Sequence, residues 1–169
     1  MHAVAEAESL RVAATGNAIV DMLDEAELFA GFAWPELELI ARHVTALEAD
    51  AGCTLFAEGA PGDRLYVLVR GRVQTWKQDV LQPRTVIATD GAGKSLGEMA
   101  LIDGEPRSAA CTVLAPSLLL SLTRESFERL ARAHPAIAFR VLMRIARLMS
   151  RRLRSTSGRL AEHLGKLAG

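Results

Sequence analysis

Between Gly97 and Ala110 the chain reads Gly97-Glu98-Met99-Ala100-Leu101-Ile102-Asp103-Gly104-Glu105-Pro106-Arg107-Ser108-Ala109-Ala110, which brings a carboxylate, a guanidinium and a glycine-opened apolar turn into one short stretch. Arg107 carries a permanent charge. Its planar fork can donate two parallel hydrogen bonds to phosphate oxygens, each worth roughly 1.5–3 kcal/mol. An ionised Glu98 only accepts hydrogen bonds, so phosphate oxygens would repel it while a sugar hydroxyl could donate to it. Gly97 leads into an apolar helical turn over residues 99–102, and the unsatisfied backbone N–H groups at the start of such a turn favour an anion. Gly104 tolerates positive φ and Pro106 fixes φ, so the chain turns and Arg107 and Ser108 come back toward Glu98. Read from the residues alone, the stretch fits a small sugar phosphate.

The rest of the chain has to hold these groups in place. Half of the 169 residues are hydrophobic, enough to build one core. Three segments are expected: a helical lead-in over residues 1–43, a β-roll over 44–122 that contains the 97–109 stretch, and C-terminal helices over 123–169. The lead-in is Ala-rich and mildly helical as far as Thr15-Gly16-Asn17, followed by Ile19, Val20, Met22, Leu23, Leu28 and Phe29 at helical spacing. Pro35 opens a second helix carrying Leu37, Ile40 and Val44, with Glu36 and Glu38 near its positive end. From Val44 to Leu122 short runs such as Val67-Leu68-Val69, Val73-Gln74-Thr75-Trp76, Thr85-Val86-Ile87-Ala88 and Leu118-Leu119-Leu120 alternate with Gly, Pro and Asp at intervals of about 8–12 residues. Gly52, Gly59, Gly62, Gly71, Gly91, Gly93 and Gly104 are the expected turn positions. The pattern predicts a mainly β fold with flanking helices, an antiparallel β-roll or jelly roll of about eight strands. Thr123 caps the helix that follows, and Pro135 opens the last one, where Ile137, Val141, Leu142, Ile145, Leu148, Met149 and Leu153 recur at helical spacing.

Gly97-Glu98-Met99-Ala100-Leu101, a short turn and Pro106-Arg107-Ser108-Ala109 resemble the phosphate-binding cassette of the cyclic nucleotide-binding domain family. Leu28-Phe29-Ala30-Gly31-Phe32, residues 56–63, residues 65–73 and the basic C-terminal helix resemble further landmarks, so the likeness runs from about residue 28 to about residue 152. It implies that Glu98 binds the ribose 2′-hydroxyl and Arg107 the cyclic phosphate. Ser108 and the backbone of Gly97, Met99, Ala100 and Ala109 would add lesser contacts. The implied ligand is cAMP or cGMP, with no separate cofactor. Guanine-selective members often carry threonine where Ser108 stands, which favours cAMP. In the family the last helix folds over the base. Arg144, Arg147, Ser150 and Arg151 are the residues suited to that role by distance along the chain. The resemblance therefore implies a sensor that couples ligand binding to rearrangement of its C-terminal helix and acts on an unidentified effector protein; a cytoplasmic location is expected from the lack of a membrane-spanning run and of a secretory signal.

Other chemistries fit less well. Gly91-Ala92-Gly93-Lys94-Ser95 looks like the end of a P-loop, but that pattern needs glycine where Ala88 stands. His2, His43, His134 and His163 all lie outside the strand region, so neither a metal site nor a nucleophilic triad is expected and the chain reads as a non-enzyme without catalytic residues. Cys53 and Cys111, each in an apolar run, are expected as buried thiols. No apolar run is long enough to span a bilayer, and the first residues lack the pattern of a secretory signal. Acids and bases balance at 20 each, yet residues 140–159 hold seven arginines and no acid. Family members that bind DNA carry a helix-turn-helix unit after this helix, and residues 155–169 are too few for one, so direct nucleic-acid contact is not expected. The apolar stripe suits either a homodimer or a lid, with the dimer preferred. Two further readings stay open: a nucleotide-free scaffold acting through the basic helix, and a sensor of a cyclic dinucleotide.

Overall fold

Two long strands, β4 (Arg64–Lys77) and β7 (Ala110–Thr123), run antiparallel along most of their length and carry the rest of the sheet. The computed structural model describes residues 10–14, 16–78 and 84–167. Within them β1 (Leu10–Ala14) pairs with β2 (Thr45–Ala49), β2 with β7, and β4 with β5 (Thr85–Asp90), in the order β1-β2-β7-β4-β5. β3 (Thr54–Phe56) adds to β7 and the two-residue β6 (Ser95–Leu96) to β4, all antiparallel. The helices are α1 (Asn17–Asp24), α2 (Trp34–Ala41), α3 (Glu98–Asp103), α4 (Arg124–Ala133) and α5 (Pro135–Leu167), with a 3-10 turn at Glu27–Phe29.

The expected mainly β fold is therefore observed, with seven strands among the described residues where about eight were predicted. The difference comes from β4 and β7, which each run through what the sequence pattern read as two strands. Leu10–Ala14 is a strand, where the Ala-rich composition had predicted helix. Pairing with β2 at the sheet edge supplies hydrogen bonds that outweigh a weak helical preference. Residues 1–9 of the predicted lead-in lie outside the described residues.

Pleating divides the apolar runs between two cores. Leu65 and Val67 of β4, with Leu120 and Leu122 of β7, pack under the helices against Leu23, Phe29, Leu37, Leu130 and Val141. The alternate residues Tyr66, Leu68, Val73 and Leu119 close the inside of the roll with Leu55, Phe56, Leu96 and Val113. Both cysteines are buried outside any disulfide among the described residues, and burial pushes the Cys111 thiol up to about 12. Helix ends follow the residues predicted for them. The Thr123 hydroxyl accepts from the Ser126 N–H at 3.1 Å, and the Glu36 carboxylate accepts from the Ala33 N–H at 2.8 Å. Ile137, Val141, Ile145 and Leu148 bury one face of α5, whereas Leu142 and Leu153 of the predicted stripe remain on the surface with Phe139, Leu160 and Leu164.

Gly71 was predicted at a turn and instead sits inside β4, where the pairing with β7 shifts register at three successive points. Its φ is +106°, and a Cβ there would lie 2.1 Å from Ser117 Oγ and 2.7 Å from Ser117 Cα. Glycine is needed both for the backbone conformation and for the close approach of the two strands. Gly71→Ala is expected to lose about 1–3 kcal/mol or more in urea unfolding. Gly52→Ala, at φ +89° with open space around it, carries backbone strain alone and should lose less. Equal losses would contradict the strand-crossing argument.

Candidate ligand-binding site

Gly97 adopts a left-handed conformation, φ +71° and ψ 17°, and this reversal starts α3. A Cβ on Gly97 would stand 2.3 Å from Arg107 Nη1, so the same glycine also admits the guanidinium. Gly104 closes α3 in a second left-handed turn at φ +73°, and the Arg124 guanidinium donates to the Ala100 carbonyl at 2.5 Å near that end. The backbone then returns as the sequence predicts. Arg107 N–H donates to the Ala60 carbonyl and the Gly59 N–H to the Arg107 carbonyl, both at 2.8 Å, which pins the returning segment to the loop after β3.

The two chemically distinctive side chains are both buried. Arg107 is 5% exposed, with Nη1 donating to the Gly97 carbonyl at 3.0 Å and Nη2 to the Arg64 carbonyl at 2.8 Å. Its Cζ lies 4.4 Å from the centre of the Phe56 ring, a cation–π contact. A guanidinium has five N–H donors, so the two carbonyls fix its plane and direction. Glu98 is 4% exposed. Its Oε1 is ion-paired with Arg152 of α5, whose Nη2 also donates to the Ser95 carbonyl at 2.7 Å. Glu98 Oε2 is buried and has no hydrogen-bond partner among the described residues.

These groups face a cavity of about 760 Å³. All seven cassette residues predicted from the sequence line it: Gly97, Glu98, Met99, Ala100, Arg107, Ser108 and Ala109. α5 contributes Arg152, Ser155, Thr156 and Arg159 to its rim. The four residues predicted for the lid do not line this cavity. Arg144, Arg147, Ser150 and Arg151 line a separate depression of about 230 Å³ with Arg154. Arg144 donates to the Glu27 and Leu28 carbonyls at 2.7 and 3.3 Å, and Arg151 to the Glu27 carboxylate at 2.8 Å. The residues chosen by distance along the chain lie on earlier turns of α5 than those that line the cavity. Extending the buried stripe Ile137-Val141-Ile145-Leu148 by further steps of three or four reaches 152, 155 and 159, so helical phase would have found the rim.

Gly91-Ala92-Gly93-Lys94-Ser95 forms a turn into β6, with Gly93 N–H donating to the Leu68 carbonyl at 2.7 Å and Lys94 Nζ paired to Glu27 at 3.0 Å. It opens no helix. Among the described residues no cluster of His, Cys, Asp and Glu could hold a metal ion, and no helix is long and apolar enough to cross a membrane.

Burial pushes the Glu98 carboxyl above the ordinary carboxylate range, and the Arg152 charge pulls it back only in part. A folded-state value above the unfolded one means that folding favours the protonated form. The stabilisation that form supplies is present in acid and is lost as pH rises through the raised folded value. Glu98→Gln removes this loss. The variant should match the parent in thermal unfolding near about pH 4 and exceed it near about pH 7. A variant less stable than the parent at neutral pH would mean that the ion pair outweighs the burial penalty.

Similarity to known proteins agrees with this geometry. Residues 46–134, more than half of the chain, match the family model described as the cyclic nucleotide-binding domain. The chain is 27% identical over 142 residues to a CRP-like cAMP-activated global transcriptional regulator of Mycobacterium tuberculosis, covering 84% of this chain and 62% of that one. It is 34% identical over 108 residues to a cAMP-dependent protein kinase regulatory subunit of Aspergillus fumigatus, covering 64% of this chain and 25% of the relative. The chain thus spans less than two thirds of these curated relatives. A crystal structure of a cyclic nucleotide-binding domain from Methylobacillus flagellatus superposes with a TM-score of 0.81 at 29% identity, covering 90% of this chain and 88% of that one. With the cassette, the roll and the family match in agreement, the chain belongs to the cyclic nucleotide-binding domain family.

Proposed function

We propose that this chain is a cyclic mononucleotide sensor with a preference for cAMP over cGMP, in which occupancy of the cassette is coupled to the position of α5. One observation carries the reading: a buried carboxylate with an unpartnered oxygen and a buried, oriented guanidinium face the same cavity. A ribose 2′-hydroxyl can donate to Glu98 Oε2, and a cyclic phosphate carries the single negative charge that Arg107 matches. Ser108 and the backbone of Gly97, Met99, Ala100 and Ala109 complete the cradle. The relatives whose names include cAMP support adenine, as does serine at position 108. Thr156 and Arg159 are the α5 residues we assign to the base, since they line the cavity that Arg144, Arg147, Ser150 and Arg151 do not. The role is regulatory rather than catalytic, in the cytoplasm, and exerted through an effector protein that reads α5.

Titration calorimetry on protein stripped of nucleotide by unfolding and refolding tests the site. cAMP is expected to bind at micromolar concentration or tighter and cGMP more weakly, with Arg107→Ala weakening cAMP by roughly 2–4 kcal/mol. Unchanged affinity in that variant would overturn the assignment.

Homodimerisation through α5 is the second part of the proposal. Phe139, Leu142, Ala146, Leu153 and Leu160 recur at steps of three, four or seven on an exposed face of α5, the pattern by which two helices pair. Sedimentation equilibrium should give a dimer, and Leu153→Glu with Leu160→Glu a monomer. A monomeric parent chain would remove this part of the reading.

A further inference from the structure

Arg144, Arg147, Arg151 and Arg154 recur on α5 at steps of three, four and three, which sets them in one row along the helix. At 1.5 Å per residue the row is about 15 Å long. Arg147 follows Ala146 and Arg154 follows Leu153, so the row is turned by about 100° from the apolar stripe proposed for the dimer, and pairing through that stripe leaves it open. Little on the molecule answers its charge. Residues 140–159 contain no acid. Glu27 is the one carboxylate ion-paired with the row among the described residues; it takes Arg151 at 2.8 Å and is shared with Lys94 at 3.0 Å. Arg144 donates to the backbone carbonyls of Glu27 and Leu28, which fix its direction without neutralising it. Arg147 and Arg154 are exposed and have no ion pair among the described residues. Five cations therefore share one carboxylate, on a chain whose net charge is zero.

We propose that this row is a docking surface for an acidic helix of a partner protein, one whose carboxylates recur at three–four spacing. Charge complementarity sets the sign of the partner, and the rise of the row sets its shape. A helix laid along α5 presents carboxylates at the same intervals as the arginines, each of which can hold one in its planar fork. An extended strand puts the side chains of one face about 6.6–6.8 Å apart, so three steps cover about 20 Å and overrun the row. The row also crosses the point where α5 loses its apolar anchor. Arg144 and Arg147 precede buried Leu148, while Arg151 and Arg154 belong to a segment in which every residue as far as Glu162 is exposed. A partner that holds all four arginines splints the two halves of the helix. The same turns present Arg152 and Ser155 to the nucleotide cavity on a different side. This gives the effector of the sensor reading its surface and rests on that reading only for calling the partner an effector, since docking on the row needs no nucleotide.

The probe is a fluorescent Ala-rich helical peptide of about 20 residues with glutamates at three–four spacing, titrated by anisotropy with the nucleotide-free chain at about 0.15 M salt. Arg147→Glu with Arg154→Glu is expected to weaken binding about tenfold or more, and Arg147→Gln with Arg154→Gln about threefold. Arg72→Glu with Arg132→Glu makes the same change of charge at exposed positions of β4 and α4 and should stay within about twofold of the parent. A peptide of the same composition with its glutamates spread around the helix should bind several-fold more weakly. Equal binding of the two peptides, equal weakening by the two pairs of glutamate substitutions, or no binding of either peptide would overturn the proposal. Binding to phosphatidylglycerol vesicles without binding to the peptide would make the row a lipid surface and overturn it as well. None of the four arginines lines the nucleotide cavity, so cAMP calorimetry on the Arg147→Glu, Arg154→Glu protein should match the parent. Absence of cAMP binding in every protein would overturn the sensor reading, and the peptide result would still decide the docking surface.

Discussion

A guanidinium cannot shed its charge inside a protein, and much of this molecule is arranged around that fact at Arg107. Its burial is tolerable because two backbone carbonyls and an aromatic face receive it. Gly97 must lack a side chain for one of those carbonyls to come close, and the reversal it makes starts α3 with Glu98 as first residue. Arg64 supplies the other carbonyl from the beginning of β4, and Phe56 its ring from the end of β3. The long β4–β7 pairing brings these points together, which is why a strand crossing as tight as that at Gly71 and Ser117 bears on a site elsewhere in the sheet.

Glu98 is the complementary problem. A buried carboxylate raises the free energy of the folded state unless something donates to it, and here one oxygen is met by a side chain from a distant helix while the other is left open. Such an arrangement does not optimise stability. It suits a site that is completed by a hydroxyl from outside, and it ties the state of the cassette to α5. The anchor of that helix is divided accordingly, with apolar packing as far as Leu148 and charged contacts beyond it. Glu27 and Glu36, held below the ordinary range by Lys94 and by the Ala33 N–H with Arg140 respectively, keep the N-terminal elements attached to the same helix at neutral pH.

Much of the cassette was legible in the sequence because its residues are close along the chain and each type allows few roles. Gly97, Glu98 and Arg107 specify a reversal, an acceptor and a permanent cation whatever surrounds them. The strands were legible as apolar runs but not as continuous elements, since a glycine that kinks a strand and one that ends it look alike until the partner strand is known; Gly71 is the example. Leu10–Ala14 was misread because edge pairing with β2 is non-local information. The rim of the cavity was missed on α5 for a different reason. Its phase was available from Ile137, Val141, Ile145 and Leu148, but Leu142 and Leu153 blurred the stripe, and only burial separates the face on the roll from the face that remains open.

The most direct test of the account is a crystal structure of the chain grown with saturating cAMP. The account predicts the cyclic phosphate against Arg107 and the ribose 2′-hydroxyl donating to the open oxygen of Glu98. A cassette that stays empty at saturating nucleotide, or a nucleotide bound elsewhere on the roll, would contradict it.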